Sequence, residues 1–288
     1  MSKGRGGHEA KRPSKLIPVL LTLFFLFGVG VMAYPFACNV ANEYANARAA
    51  AAYGNAIAET PNEETQAAWE AARAYNEAHT ANTIVDPFDE EGEYPESEDG
   101  YWEVLDPTGN GVMGYIDIPK IGLRLAIYHG TSAKALEQGV GHLQGTSLPV
   151  GGAGTHCVLS GHRGLATAKL FTDLDQLEVG DQFYLHVLDQ VLAYEVDQVL
   201  VVTPDQVDAL AIVEGEDLVT LVTCTPYAVN THRMLVRGHS VEYVPYEERT
   251  PVQAAAAFEP WQLAVAGGVI VLVLLAAYIA VTRRPSRR

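Results

Sequence analysis

Residues 220–226 have the sequence Thr-Leu-Val-Thr-Cys-Thr-Pro, an apolar run that ends in a cysteine and is closed by a proline. A short apolar run bounded by a turn-forming residue predicts a buried β-strand. The next apolar strand begins at Arg233, and the intervening segment contains Pro226 and Asn230, which can turn the chain. We therefore expect Cys224 and Arg233 at neighbouring ends of two adjacent strands.

Short β-type runs continue on both sides of this stretch, separated mostly by Gly, Pro, Asp or Asn. They occupy residues 112–118, 123–129, 155–160, 182–187, 191–203, 218–224 and 233–244. Many short strands at close spacing indicate a β-barrel or a β-sandwich. Helices are predicted at 41–58 and 62–79 before the strands, and short ones near 132–139 and 166–174 among them.

The two ends of the chain each carry an apolar run with a basic outer flank. Leu16–Tyr34 and Leu263–Val281 each contain 19 residues without a charge, roughly the length that crosses a bilayer's hydrocarbon core. By the positive-inside rule, both termini are cytoplasmic and residues 35–262 are outside the cell. A cleaved signal peptide is the alternative for the first run, and a buried core helix is the alternative for the second.

The middle of the chain is strongly acidic. The formal net charge is −16, but nine of the 19 basic residues lie in the terminal tails beside a single acid. Residues 35–260 therefore carry 10 basic and 34 acidic side chains, a net charge of −24. Such a field repels phosphate backbones, which argues against nucleic-acid binding.

A histidine flanked by glycine adds a third group to the cysteine and the arginine. Leu-Ser-Gly-His-Arg-Gly at 159–164 places His162 just after an apolar strand. A thiolate is a nucleophile, a histidine can transfer the proton that a leaving amine requires, and an arginine can stabilise an oxyanion. Cys157 is expected to be a core residue, His156 a structural one, and His232 a neighbour of the site. No spacing indicates a metal site, and no cofactor is predicted.

These motifs resemble the sortase family. Residues 220–224 match its Thr-Leu-x-Thr-Cys signature, Arg233 falls where its arginine does, and 160–164 resemble its histidine segment. The resemblance covers residues 110–245 and implies an eight-stranded β-barrel with N-terminal helices. The catalytic residues implied are Cys224, His162 and Arg233.

A second resemblance narrows the class. The segment Asp86-Pro87-Phe88 resembles the lid of class C, pilus-assembling sortases, and a membrane segment at each end is also typical of that class. The implied lid pairs Asp86 with Arg233 and shields Cys224 with Phe88. Because a surface ion pair contributes about 0–1 kcal/mol and a buried Phe about 1.5–3 kcal/mol, Phe88 is expected to matter more. A chance Asp-Pro-Phe in a disordered linker is the alternative.

The resemblance implies a cysteine transpeptidase on the outer face of a Gram-positive-type cell membrane. It would cleave LPXTG-like sorting signals between Thr and Gly and join the acyl group to a lysine amine of the next pilin subunit. In the family, the active form is thought to be a thiolate–imidazolium pair. The alternatives are a housekeeping-type sortase that anchors proteins to the cell wall and a non-enzymatic, membrane-tethered binding module. An L,D-transpeptidase or a papain-like hydrolase would place its cysteine in a different local sequence.

The predicted organisation divides the chain at the apolar runs and at the start of the strands. In order, the segments are a cytoplasmic basic tail (1–15), a transmembrane helix (16–34), a helical region (35–80), the lid and acidic loop (81–110), the catalytic β-barrel (111–246), a linker (247–262), a transmembrane helix (263–282) and a cytoplasmic basic tail (283–288).

Overall fold

The computed structural model describes residues 16–79, 86–88 and 100–246, together with Gly268, Val269 and Leu272. Residues 112–241 contain a closed β-barrel of eight strands in the order β1-β2-β3-β4-β7-β8-β6-β5. The strands are β1 (Val112–Ile118), β2 (Leu123–His129), β3 (Val140–His142), β4 (Thr155–Ser160), β5 (Gln182–Val187), β6 (Gln190–Val202), β7 (Asp217–Thr225) and β8 (His232–Val241). The predicted eight-stranded barrel is confirmed.

Two parallel pairings determine which strand ends meet. β2 pairs with β3 and β4 pairs with β7 in parallel, whereas the other neighbours are antiparallel. β4 and β7 are buried at nearly every position, as expected for strands that are covered on both faces. Their register runs from Thr155 opposite Asp217 to Ser160 opposite Val222. The carboxyl ends of β4 and β7 therefore lie side by side.

The strand bounds agree closely with the sequence pattern, with one omission. The predicted bounds of β1, β2, β4 and β5 are those observed, and β6, β7 and β8 differ by one to three residues at an end. The pattern missed β3, because its three residues, Val-Gly-His, are too few to show a period. The helix predicted near 166–174 is a 3-10 helix at Leu170–Gln176, and the one near 132–139 is α3 (Ala133–Gln138), the third α-helix.

The first helix is longer than expected. α1 (Leu16–Glu59) is a continuous helix of 44 residues, whereas the sequence predicted an apolar span at 16–34 and a separate helix at 41–58. Pro35 lies inside it, and the alanine-rich segment that follows consists largely of strong helix formers, so the helix continues. From Leu23 to Glu59, α1 is long and apolar enough to span a membrane, and none of its apolar window is buried.

The helices beyond Ala37 belong to the same compact unit as the barrel. The Tyr53 hydroxyl of α1 donates to the carbonyl of Met113 at 2.9 Å and accepts from the amide of Leu188 at 2.8 Å. In α2 (Asn62–Ala78), the Asn76 amide accepts from the backbone N–H of Leu148 at 2.7 Å and donates to its carbonyl at 3.3 Å. These buried bonds fix the end of α2, after which the lid segment begins.

Several predicted segments lie outside the described residues. They are the tails 1–15 and 283–288, the linker 247–262, the acidic loop 89–99 and, apart from Gly268, Val269 and Leu272, the second apolar span at 263–282.

Candidate active site

The paired ends of β7 and β8 bring the cysteine and the arginine together. Cys224 is directly opposite Arg233 in the antiparallel register, as the hairpin pattern predicted. Cys224 is buried, and the Arg233 side chain is 11% exposed. Nη1 of Arg233 donates to the carbonyl oxygens of Asn230 and His232 at 3.1 and 3.2 Å. These bonds to the turn fix the guanidinium beside the cysteine.

The parallel pairing of β4 with β7 brings the histidine to the same end of the barrel. Beyond the last register pair, Ser160 and Val222, the amide of Gly161 still donates to the carbonyl of Val222 at 3.0 Å. His162 follows Ser160 by two residues, just as Cys224 follows Val222. The shared offset places the partly buried His162 level with Cys224.

A bidentate ion pair holds the segment Asp86–Phe88 over this end of the barrel. Nε of Arg233 donates to Oδ1 of Asp86 at 2.8 Å, and Nη2 donates to Oδ2 at 2.6 Å. The two side chains are 11% and 13% exposed, so the pair is mostly removed from water. Paired N–H donors that meet both carboxylate oxygens form one of the stronger protein contacts.

The Phe88 ring of the same segment lies against His162 and Arg233. The centroid of the Phe88 ring is 5.6 Å from that of His162, and the guanidinium carbon of Arg233 is 5.2 Å from the Phe88 centroid. Phe88 also packs on an apolar cluster of Leu143, Val158, Leu210, Val222 and Leu235. The pair of Asp86 with Arg233 is thus present, and Phe88 lies against His162 and Arg233, whereas the resemblance implied that Phe88 shields Cys224.

The lid segment fills the groove next to the cysteine strand. Only about 10 Å³ remains between Asp86, Pro87 and the surrounding barrel. That space is lined further by Val202, Thr203, Pro204, Gln206, Val207, Leu210, Val222, Arg233 and Leu235. A cavity of roughly this size holds one water molecule at most, so the segment packs closely against the barrel.

The chain is similar to several known proteins. A model of the sortase domain family matches residues 116–241. The crystal structure of Streptococcus pneumoniae sortase C is 42% identical, with a TM-score of 0.62, and the match covers 69% of this chain and 100% of that one. Sortase C-1 of Actinomyces oris is 47% identical, with a TM-score of 0.60, over 63% of this chain and 99% of that one.

The chain belongs to the class C sortases. Sortase D of Bacillus subtilis is a more distant relative, 32% identical over 122 residues, which is 42% of this chain. The chain spans 59% and 60% of the length of the curated relatives it matches. The greater identity to class C structures agrees with the Asp-Pro-Phe segment at 86–88, which resembles the lid of that class.

The closed sortase site favours uncharged catalytic groups. Burial raises the pKa of the Cys224 thiol, with Asp86 raising it further and Arg233 opposing the shift. Burial also lowers the pKa of His162, which the Glu137 carboxylate partly offsets. Both directions favour the neutral forms at pH 7, because a water-poor environment disfavours charge. This arrangement therefore favours a neutral thiol and imidazole rather than the thiolate–imidazolium pair that the family resemblance implied.

Other histidines and cysteines in the sortase barrel have structural surroundings. Cys157 is buried in β4, and burial raises its pKa well above the ordinary value. His156 has Nδ1 at 2.8 Å from the carbonyl of Ala211 and Nε2 at 2.7 Å from Oγ1 of Thr220. His232 is partly buried at the start of β8, where its Nδ1 contacts the Thr231 hydroxyl at 2.9 Å. Among the described residues, no three metal-binding side chains converge on one point.

Sequence reasoning missed several groups that support the site. Arg163 was quoted only as part of the histidine motif, yet its guanidinium contacts Thr225 and Asp175. The Thr223 hydroxyl donates to the carbonyl of Gly161 at 2.7 Å. These contacts depend on chain segments far apart in sequence, and the only local signal was an arginine directly after the histidine.

Proposed function

We propose that this chain is a cysteine transpeptidase that cleaves LPXTG-like sorting signals between Thr and Gly and joins the acyl group to a pilin lysine. The observation that carries the proposal is the meeting of Cys224, His162 and Arg233 at one barrel end beneath the lid. The similarity to S. pneumoniae sortase C, a protein described for its catalysis and pilin substrate specificity, supports a pilin as substrate.

The proposed reaction has two acyl-transfer steps. His162 takes the thiol proton, and the Cys224 sulfur attacks the Thr carbonyl carbon to form a tetrahedral oxyanion. The Thr–Gly C–N bond then breaks, His162 returns the proton to the departing amine, and a thioester remains. A lysine amine of the next pilin attacks the thioester and loses its proton to His162. The Cys224 sulfur leaves and is reprotonated, which completes an isopeptide bond.

Arg233 is the proposed donor to the oxyanion, and the closed lid explains why it is idle at rest. Its Nε and Nη2 are bonded to Asp86, and its Nη1 is bonded to the turn carbonyls. Opening the lid would release Nε and Nη2 next to Cys224. Fixed donors at the position where charge develops are an effective way to stabilise a transition state.

The sorting signal is proposed to occupy the groove that the lid now fills. The loop between β6 and β7 lines this groove with Pro204, Val207 and Leu210, and Val222 and Leu235 form its apolar floor. Removing Phe88 from this surface would expose apolar area, and an apolar side chain of the signal could cover it again. We therefore propose that a side chain of the sorting signal replaces Phe88 on this surface, so that substrate binding and lid opening occur together.

A housekeeping-type role is the second candidate, because the curated relatives carry the names sortase D and sortase A. The two roles share cleavage between Thr and Gly but differ in the acceptor amine. A housekeeping enzyme would transfer the acyl group to a cell-wall amine rather than a pilin lysine. The Asp86–Phe88 lid and the higher identity to sortase C favour the pilin acceptor.

We also propose a two-pass arrangement in the cell membrane. The N-terminal part of α1 would form the first span, residues 263–282 the second, and the basic tails would be cytoplasmic. The barrel would then be outside the cell. Cysteines placed at Ser2 or Ser286 should be labelled by an impermeant reagent only after the membrane is opened; labelling of either in intact cells would contradict this orientation.

The test of function uses the full chain in detergent micelles. It is mixed with a peptide that contains Leu-Pro-x-Thr-Gly and with a second peptide that carries a single lysine. We expect a thioester on Cys224, located by mass spectrometry of proteolytic fragments, and a product joined through the lysine side chain. Release of hydrolysed peptide without joining at high lysine-peptide concentration would contradict transpeptidation, and joining only to a cell-wall amine would favour the housekeeping role.

A further inference from the structure

The histidine loop, residues 161–164, is hydrogen-bonded to β7, the strand that carries Cys224. The Gly161 carbonyl accepts from the Thr223 hydroxyl at 2.7 Å, and its amide donates to Val222. A Cβ at Gly161 would be 2.7 Å from the Phe171 ring, so the backbone at this position is closely packed. These contacts fix the start of the loop but do not reach beyond His162.

Beyond Gly161, the His162 carbonyl accepts from the Phe171 amide at 3.1 Å, and the Gly164 amide donates to the Thr172 hydroxyl at 3.2 Å. Arg163 is the residue of the loop whose side chain joins three segments. Its Nη1 donates to Oγ1 of Thr225 at 3.3 Å, and its Nη2 forms an ion pair with Asp175 of the 3-10 helix. The Arg163 side chain is only 10% exposed. Its Nε is buried without a hydrogen-bond partner among the described residues. An unpaired buried donor costs free energy, so the contacts at the end of the side chain must offset that cost.

The alternation of side chains along β7 shows which face of the strand the histidine loop is bonded to. Thr223 and Thr225 are two residues apart, so they share one face of the strand, and Cys224 points to the other. The histidine loop is therefore bonded at two points to the face opposite the nucleophile. His162 lies between these points, because Gly161 makes the first contact and Arg163 makes the second.

We propose that Arg163 is a positioning residue that holds His162 level with Cys224 by bracing the histidine loop against Thr225. The proposal rests on the proposed function, because it assigns Arg163 to proton transfer between these two groups. The positive charge of Arg163 is paired with Asp175. The charges that shift the pKa of Cys224 are those of Arg233 and Asp86, so Arg163 acts through geometry.

The test is a mutant cycle on the full chain in detergent micelles, with cleavage of a Leu-Pro-x-Thr-Gly peptide as the activity. Arg163→Met should lower kcat about tenfold to a hundredfold, because a small misplacement of a catalytic group is costly. KM should change less than about twofold, because the substrate contacts remain. Thr225→Val should lower kcat by a smaller factor, and the double variant should be no slower than Arg163→Met alone.

A matched control is Arg237→Met. Arg237 also forms an ion pair, a bidentate one with Asp197 at 3.0 and 2.8 Å, but it lies opposite Thr220 on β8, away from the Cys224–Arg233 pair. Its loss should leave kcat unchanged. A decrease in kcat equal to that of Arg163→Met would show that losing any such pair harms the barrel, and it would overturn the positioning role.

A second measurement does not depend on activity. The imidazole signals of His162 can be followed by NMR of the histidine-labelled full chain and assigned by their absence in His162→Ala. Thr225→Val should shift or broaden them in the parent chain but add no change in Arg163→Met. Unaltered signals in Thr225→Val, or independent effects of the two substitutions, would overturn the proposal. If the parent chain cleaves no peptide, the proposed function fails, and the NMR cycle still decides whether Arg163 positions His162.

Discussion

Two free cysteines lie on the adjacent strands β4 and β7, and their surroundings differ. Cys157 is in the middle of β4, opposite Val219, where the barrel itself excludes water. Cys224 is at the end of β7, opposite Arg233, where the lid contributes to the cover. Burial is the largest cause of a raised thiol pKa at both positions.

The two cysteines differ in whether the structure that excludes water from them can move away. Water can reach Cys157 only if strands separate, because both faces of β4 are covered. The cover beside Cys224 includes a three-residue segment held by one ion pair and one aromatic ring. A second difference is charge: Asp217 raises the pKa of Cys157, whereas Arg233 lowers that of Cys224. Similar burial therefore gives a permanently inert thiol in one place and a reversibly suppressed one in the other.

The largest expected effect separates the two thiols by activity. Cys224→Ala should reduce formation of the joined peptide at least about a thousandfold, because no other group replaces the nucleophile. Cys157→Ala should keep most of the activity. The rates are measured by chromatography of the joined product. Loss of activity in Cys157→Ala with activity retained in Cys224→Ala would reverse the site assignment.

The second prediction concerns how fast Cys224 is alkylated when the lid contacts are removed. Because the Arg233 and Asp86 side chains are only 11% and 13% exposed, we expect their pair to matter more than Phe88, whereas the sequence-based ranking favoured Phe88. The experiment decides between the two rankings. Asp86→Ala should increase the alkylation rate of Cys224 about tenfold or more, since removing one partner of a buried pair is strongly destabilising. Phe88→Ala should increase it by a smaller factor.

The readout is the alkylation of each cysteine by a neutral haloacetamide, followed by mass spectrometry. Asp197→Ala is the matched control, because it breaks a similar pair with Arg237 away from the lid. Cys157 should stay unmodified in every variant. Equal Cys224 rates in the parent chain and both lid variants would contradict the lid.

The third prediction concerns pH. The alkylation rate of Cys224 should rise with pH through a midpoint above the ordinary thiol pKa, because burial raises the pKa of the closed form. Asp86→Asn removes an anion that raises this pKa and keeps Arg233, which lowers it. The midpoint should therefore move to lower pH, so that more thiolate is present at pH 7. An unchanged midpoint in Asp86→Asn would show that the lid does not control the charge of the thiol.

The smallest expected effect is on stability. Cys157→Ala should lower the free energy of unfolding by about 1 kcal/mol, because it leaves a cavity that the surrounding strands cannot close. Cys224→Ala should cost less, since the neighbouring lid can settle into the space. Denaturant unfolding of the two variants measures the difference. A greater loss in Cys224→Ala would mean that the lid end of the barrel is as rigid as its middle.

The sequence predicted the local elements well because strand periodicity is a local property. The runs at 112–118 and 155–160 became β1 and β4 without change. The pairing of Cys224 with Arg233 could also be predicted, because only eight residues separate them and a hairpin places its strand ends together. The short β3 was missed because three residues carry no periodic signal.

The long-range part of the site could not be derived from local patterns. His162 meets Cys224 only because β4 pairs in parallel with β7, and the intervening chain contains β5 and β6. The family resemblance supplied that link, along with the lid. Neither the local patterns nor the family resemblance predicted the contacts of Arg163, because they depend on the path of the 3-10 helix past the end of β4.

Under the proposed function, the bidentate bond between Arg233 and Asp86 gives one guanidinium two roles, as the latch of the lid and as the oxyanion donor. The closed and competent states therefore exclude each other, and every substrate must first compete with a carboxylate tethered to the same chain. If about 1% of molecules are open, the apparent affinity for a sorting signal is about a hundredfold weaker than that of the open groove. Free peptide at low concentration would then rarely react, whereas a pilin held in the same membrane would present its signal at high local concentration. In that case the latch would act as a concentration threshold that favours membrane-bound substrates over free ones.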